Sequence, residues 1–142
     1  MAIELRKKRL SAVLDISDFT SLTREVIAAR FMKGLMAVPE EYWTPVIVAI
    51  DEIQLFAPQR GRSSFSSAID ETRSATIDLA CRGRKRGLSV WATSQRLAKL
   101  HKDVAADLLN KFVGRVNLAV DIKRAAENLG WRPKEAHRKL SQ

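Results

Sequence analysis

Eight residues constrain this chain more than any others. Pro45-Val46-Ile47-Val48-Ala49-Ile50 runs straight into Asp51-Glu52. An unbroken apolar run of that length, largely β-branched, predicts a strand buried on both faces, as inside a parallel sheet. Pro45 can open it, because a missing N–H costs little at a strand's first position. The two acids then fall at the strand's C-terminal end, where open α/β sheets place their ligands. Carboxylates beside a dry strand are expensive unless a cation or a hydrogen-bond network offsets them. The spacing suits one acid that holds Mg²⁺ through water and a neighbour that polarises an attacking water, as nucleotide-hydrolysing sites require. The same residues also read as a strand end whose acids face solvent or cap the next helix. The acid pair by itself leaves both readings open.

Around this strand the chain alternates. Ser11 to Ile16 reads as a short strand ending in an acid, and a helix capped by Asp18 or Thr20 runs to about Ala37. That helix carries Leu22, Val26, Ile27, Phe31 and Leu35 at helical spacing, and Pro39 ends it. After Asp51-Glu52 comes a loop with Pro58, Arg60, Gly61 and Arg62, then a helix from Ala68 to about Arg82 with Phe65, Ile69, Thr72, Thr76 and Leu79 along one side. Gly83 and Gly87 bracket the basic turn Arg84-Lys85-Arg86, and Leu88 to Thr93 reads as a second buried strand, ending at Ser94-Gln95-Arg96. A short helix over Val104 to about Asn110, a strand over Val113 to Val120, and helices from about Asp121 to Leu129 and Pro133 to Leu140 complete the chain. Pro133 suits a first helical position. Strands alternating with helices predict a parallel α/β sheet.

Composition narrows the function classes. In 142 residues, with 46% hydrophobic and 29% charged content, there is material for one globular domain or part of one. The single cysteine, Cys81, excludes an internal disulfide framework and fits a reducing compartment. No apolar run approaches a membrane span. Arg6-Lys7-Lys8-Arg9 has no apolar signal core behind it, so no targeting segment is expected and the location expected is cytoplasmic. A net charge of +9 and a pI of about 10.2 favour an anionic partner, nucleic acid first. His101 and His137 are remote in sequence, and no histidine–cysteine set stands at zinc-ligand spacing. Trp43, Trp91 and Trp131 read as core or packing residues rather than base-stacking platforms.

The ordered set Val46 to Glu52, then Arg82-Gly83-Arg84-Lys85-Arg86-Gly87-Leu88, then Val90-Trp91-Ala92-Thr93-Ser94-Gln95-Arg96 resembles the HerA/FtsK superfamily of hexameric DNA-translocating P-loop ATPases, HerA-like proteins most closely. The first stretch resembles that superfamily's Walker B strand. The others resemble its arginine-bearing segment and its strand ending in Thr-Gln-Arg-Pro or Ser-Gln-Arg-Pro. Leu118 to Asp121, Leu129 to Trp131 and the helix behind them resemble the same domain's C-terminal part, so the likeness covers nearly the whole chain. Two departures stand out: Leu97 replaces the usual proline, and no Gly-x-x-x-x-Gly-Lys-Ser/Thr occurs. None of the glycines, Gly34, Gly61, Gly83, Gly87, Gly114 and Gly130, is arranged to cradle a phosphate. The expectation is therefore an α/β, RecA-like parallel sheet flanked by helices and lacking its P-loop strand: a single partial ATPase domain over 1–142, fragment or remnant.

The resemblance implies roles. Asp51 would hold Mg²⁺ through water, Glu52 would be the general base, and Gln95 the polar sensor of the γ-phosphate or the water. Gln95 also reads, second to that role, as a strand-end amide bonded to local backbone. Arg84, ahead of Arg82, would be an arginine finger given to a neighbouring subunit; clustered basic residues on a turn also read as a solvated face. Arg60, Arg62, Lys99 and Lys102, with His101, would touch DNA phosphates, or serve only solubility. The implied ligands are ATP and Mg²⁺, and the implied partners are DNA, a homo-hexameric ring and a partner nuclease, with no membrane. A basic nucleic-acid-binding or regulatory protein without catalysis is the alternative, and a subunit completing another chain's site in trans is a third. The resemblance also sets a topology: Val46–Ile50 beside Leu88–Thr93, and a missing strand between Leu88–Thr93 and Val113–Val120. That leaves either direct pairing of those two strands or a gap of about 9–10 Å, of which the gap is favoured.

Overall fold

Residues 1–59 and 67–141 are described in a computed structural model. In chain order its elements are α1 (Ala2–Lys7), α2 (Ser21–Met36), β1 (Val46–Ile50), α3 (Ser67–Arg82), β2 (Leu88–Ala92), α4 (Lys102–Asp107), α5 (Ala119–Leu129) and α6 (Pro133–Leu140). The result is a mixed α/β chain with a two-stranded parallel sheet flanked by helices. Thr20 rather than Asp18 caps α2, its hydroxyl accepting from Thr23 N–H at 3.3 Å. Phe65, Arg60 and Arg62 lie outside the described residues.

β1 and β2 pair in parallel from Val46 opposite Leu88 to Ile50 opposite Ala92, the adjacency expected from the sequence. Gly87 makes the approach between them possible. It adopts φ +76°, and a Cβ there would stand 2.8 Å from the Thr44 carbonyl oxygen. Its own carbonyl accepts from Val46 N–H at 2.9 Å, which sets the register. An isolated pair of strands is marginal in water, so the helices supply most of the stability.

α2 and α3 pack against each other and, with Val48 and Leu88, form the main core. Their buried faces are mostly small residues, Ala28 and Ala29 on α2 and Thr72, Ala75 and Thr76 on α3, with Met32 of α2 among them. Small side chains bring the helices close, and Thr72 Oγ1 then donates across the seam to the Glu25 carbonyl at 2.8 Å. The face of α3 expected from the sequence is the one buried. On α2 the expected stripe is buried only in part: Leu35 is buried and Phe31 packs against the core, but Leu22 is 58% exposed and the rest of the buried set is Glu25, Ala28, Ala29 and Met32. Burying a side chain such as Leu35, Leu79 or Leu88 is worth about 1.5–3 kcal/mol.

Three further expectations are corrected. β1 is covered on one face only: Val48 is buried while Ile47 is 59% exposed, and across the register Trp91 is 65% exposed rather than packed. Both helices that cover the sheet sit on the Val48–Leu88 side, so the alternate residues face outward. Ser11 to Ile16 is not a strand; Asp15 Oδ1 accepts from Ser17 N–H and Oγ, making a local turn, and Val13 is 95% exposed. Val113 to Val120 is not a strand either, so neither pairing nor a gap to β2 arises. With no ladder partner, Val113 and Val116 pack on α5 and α6, Val116 N–H donates to the Leu140 carbonyl, and α5 begins at Ala119.

Candidate active site

β1 hands the chain to the acid pair through one more rung: Thr93 N–H donates to the Ile50 carbonyl and Ile53 N–H to the Thr93 carbonyl, both at 3.0 Å. Between these bonds the backbone reverses at Glu52, which adopts φ +51° and ψ +47°. A left-handed conformation costs a non-glycine residue roughly 1–2 kcal/mol, and such outliers concentrate where geometry serves a function. Side chains hold the turn. Thr93 Oγ1 donates a short hydrogen bond to Asp51 Oδ1, which also accepts Glu52 N–H at 3.1 Å. Glu52 N–H lies 3.3 Å from Thr93 Oγ1 as well. Glu52 Oε2 accepts a short bond from Gln54 Nε2 and, at 3.4 Å, the Gln95 backbone N–H. Gln54 is buried and Ile53 beside it is fully so, which anchors the short 3-10 turn Ile53–Leu55 that carries both.

Asp51 is exposed and Glu52 half-buried, so the pair offers hard oxygen atoms to solvent from a fixed frame. No group of three or more metal-ligating side chains exists among the described residues. That donor set fits Mg²⁺, which keeps several waters and takes one or two carboxylates, better than a cation needing an all-protein cage. Two cavities flank this end of the sheet. One, of about 720 Å³, opens between the start of α2, Gln54 and Arg96; the other, of about 640 Å³, between Gln95, Leu118 and Asp121.

The remaining candidates divide. Gln95 is brought to Glu52, but through its backbone N–H. Arg82 and Arg84 are not brought to the acids. Arg82 is exposed at the end of α3, 3.2 Å from Asp78, and Arg84 is exposed on the turn before β2. Both sit at the sheet's N-terminal end, and the five-residue strands put roughly 17 Å between that end and the acids. Lys99 and Lys102 are exposed and flank Gln59: Gln59 N–H donates to the Lys99 carbonyl at 2.7 Å and Lys102 N–H to Gln59 Oε1 at 2.9 Å. His101 is half-buried and spent on capping α4, its Nδ1 accepting from Asp103 N–H at 3.3 Å.

Sequence reasoning missed Thr93, Gln54 and Asp121. Thr93 was recoverable: once β1 and β2 are aligned, the residue after Ala92 falls opposite Asp51. Gln54 carries no pattern of its own. Asp121 was read only as a helix start. It is 2% exposed, accepts Ala98 N–H at 2.7 Å and stands 3.4 Å from Arg96 Nε, tying α5 to the segment behind Gln95.

Fold and site thus define an α/β chain whose parallel strand pair presents two framed carboxylates at its carboxyl edge. Compared with known proteins, the chain is 26% identical over 137 residues to the "Probable DNA double-strand break repair helicase HerA" of Methanocaldococcus jannaschii, a match covering 92% of this chain. The chain spans about a quarter of that relative's length (25%). No family model matches, and no solved structure matches. No helix among the described residues is long and apolar enough to cross a membrane.

Proposed function

We propose that this chain is part of a RecA-like, HerA-like motor ATPase that couples ATP hydrolysis to movement on DNA. The observation that carries the reading is the Asp51–Thr93–Glu52–Gln54 frame at the carboxyl end of the parallel strand pair. The similarity to a DNA-repair helicase and the charge of +9 support it. In this reading Asp51 is the Walker B acid. Thr93 donates to its Oδ1, so the carboxylate is held in one rotamer with its hydration face outward. Mg²⁺ held there through water would neutralise charge on the phosphates as they react. Glu52 takes the proton of the attacking water on its carboxylate, oriented by Gln54 and the Gln95 N–H. General-base catalysis of this kind is worth about 10²–10⁴ in rate. Arg84 or Arg82, remote from the acids of its own chain, acts as an arginine finger in a neighbouring subunit of a ring. Arg60, Arg62, Lys99 and Lys102 meet DNA phosphates, and a nuclease works with the ring.

The test is turnover. The 142-residue chain, which holds no Gly-x-x-x-x-Gly-Lys loop, should not hydrolyse ATP. A chain that includes such a loop should hydrolyse it with Mg²⁺, and Glu52→Gln should then retain ATP binding while losing at least about 10² in rate. Near wild-type turnover by that variant would remove Glu52 from the role of base. Turnover by the 142 residues alone, abolished by Glu52→Gln, would show that the loop is dispensable. The same missing loop favours a second reading, a basic nucleic-acid-binding protein without catalysis.

A further inference from the structure

At the sheet's other end two basic runs meet that lie 80 residues apart in sequence. Arg6 on α1 reaches inward, its Nη2 donating to the Thr44 carbonyl at 2.9 Å and the Arg86 carbonyl at 2.6 Å. The side chain is 2% exposed, its Nε and Nη1 have no hydrogen-bond partner, and among the described residues no carboxylate pairs with it. Arg86 is also committed to the frame: Nη1 donates to the Met36 carbonyl at 2.7 Å and the guanidinium lies 5.2 Å over the Trp43 ring. Burial and the Arg86 charge lower the proton affinity of Arg6. Its ordinary value is high enough to leave it cationic.

Arg6 thus ties α1 to the turn before β2 and Arg86 ties that turn to the end of α2, while Lys7, which stands 5.6 Å over the Tyr42 ring, Lys8 and Arg9 after Arg6 and Lys85 before Arg86 are exposed. The acids nearby are few. Glu4 pairs with Lys8 at 3.0 Å, and Glu40 and Glu41 sit on the short turn beside α1. Arg6, Lys7, Lys8, Arg9, Lys85 and Arg86 therefore make six cations on the two joined segments, two of them fixed by hydrogen bonds to backbone carbonyls. A flexible, merely solubilising patch needs no buried, uncompensated guanidinium, which costs free energy to desolvate.

We propose that this surface is a nucleic-acid backbone clamp, distinct from the acid pair and from the Gln59–Lys102 cluster, with Lys7, Arg9 and Lys85 contacting successive phosphates. Point charges without a bidentate, base-facing arrangement suit phosphates rather than base edges, so binding is independent of sequence. The inference rests on the nucleic-acid part of the proposed function and not on Glu52 as a base.

The experiment measures binding of a labelled duplex to the 142-residue chain across a series of KCl concentrations. Each lost phosphate contact removes about 0.9 from the slope of log affinity against log salt, so Lys7→Gln/Arg9→Asn/Lys85→Gln should flatten it by about 2–3. Asn is chosen at position 9 because φ there is +52°, which Asn tolerates. All three side chains are exposed, and an unchanged melting curve confirms the fold; should the triple variant melt early, Lys85→Gln alone should still flatten the slope by about 0.9. An unchanged slope in folded variants of a chain that binds DNA overturns the clamp and leaves the ATPase reading to its own turnover test. No duplex binding by the wild type at low salt overturns the clamp outright. So does tighter binding of polyglutamate than of DNA through the same three residues, which would assign the surface to an acidic protein.

Discussion

Three glycines allow the cost of one close approach to be isolated. Gly87 has φ +76° and faces the Thr44 carbonyl, where a Cβ would sit 2.8 Å from the oxygen. Gly130, ending α5, has φ +67° with nothing within 4 Å of a Cβ, and Gly114 has neither a left-handed backbone nor a neighbour. Replacing any of them by alanine removes chain entropy from the unfolded state, worth about 0.4–1 kcal/mol in favour of folding. The left-handed backbone at Gly130 and Gly87 costs about 1–2 kcal/mol in return. Only Gly87→Ala adds the clash, and forcing a methyl into packed surroundings costs about 1–3 kcal/mol more. Gly114→Ala should thus be neutral or slightly stabilising, Gly130→Ala mildly destabilising, and Gly87→Ala worse than Gly130→Ala by about 1–3 kcal/mol. The clash is with backbone, at the point that sets the register of β1 on β2, so no side chain can swing aside. Urea denaturation reads the difference directly: with a slope of about 2 kcal/mol/M, 2 kcal/mol moves the midpoint by about 1 M. If Gly87→Ala is no less stable than Gly130→Ala, the contact between Gly87 and Thr44 does not govern the strand pairing.

Other outcomes follow from single sites. Asp121→Ala leaves the Ala98 N–H without its 2.7 Å acceptor and should cost about 1–3 kcal/mol by the same denaturation assay; an unchanged midpoint would detach α5 from that segment. The Cys81 thiol is pushed up to about 12, by partial desolvation first and then by its hydrogen bond to Asp107, with Asp107, Asp103 and Asp78 adding repulsion. Against an ordinary value near 9, that leaves roughly 10³-fold less thiolate at pH 8, so alkylation should be correspondingly slow and Asp107→Asn should accelerate it. Because the folded value is the higher one, this group's contribution to stability is present below about pH 9 and is lost as pH rises toward 12. Alkylation at the rate of an unfolded control would refute the assignment.

What the sequence determined by itself was local. An apolar β-branched run ending in Asp51-Glu52 predicts a strand delivering two acids to its carboxyl end, and β1 is that strand. A cap at Asp18 or Thr20, Pro133 as a first helical residue and the buried face of α3 are likewise set by residues within a few positions of one another, which is why they were legible; which of the two caps was used was not. Tertiary structure decided which strand candidates became strands. Val46–Ile50 and Leu88–Ala92 found each other and made a ladder, whereas Ser11–Ile16 and Val113–Val120, equally apolar in part, had no partner for their N–H and C=O groups and did not. It also decided which face of β1 stays open, leaving Ile47 and Trp91 exposed, because both covering helices lie on one side. The candidate site divides in the same way. Two adjacent acids are visible in the chain, but Thr93 on Asp51 and Gln54 on Glu52 depend on the register of two strands and on a left-handed turn. The separation of Arg84 from those acids is also tertiary: parallel pairing of β1 and β2 puts the turn before one strand at the end opposite the acids that follow the other.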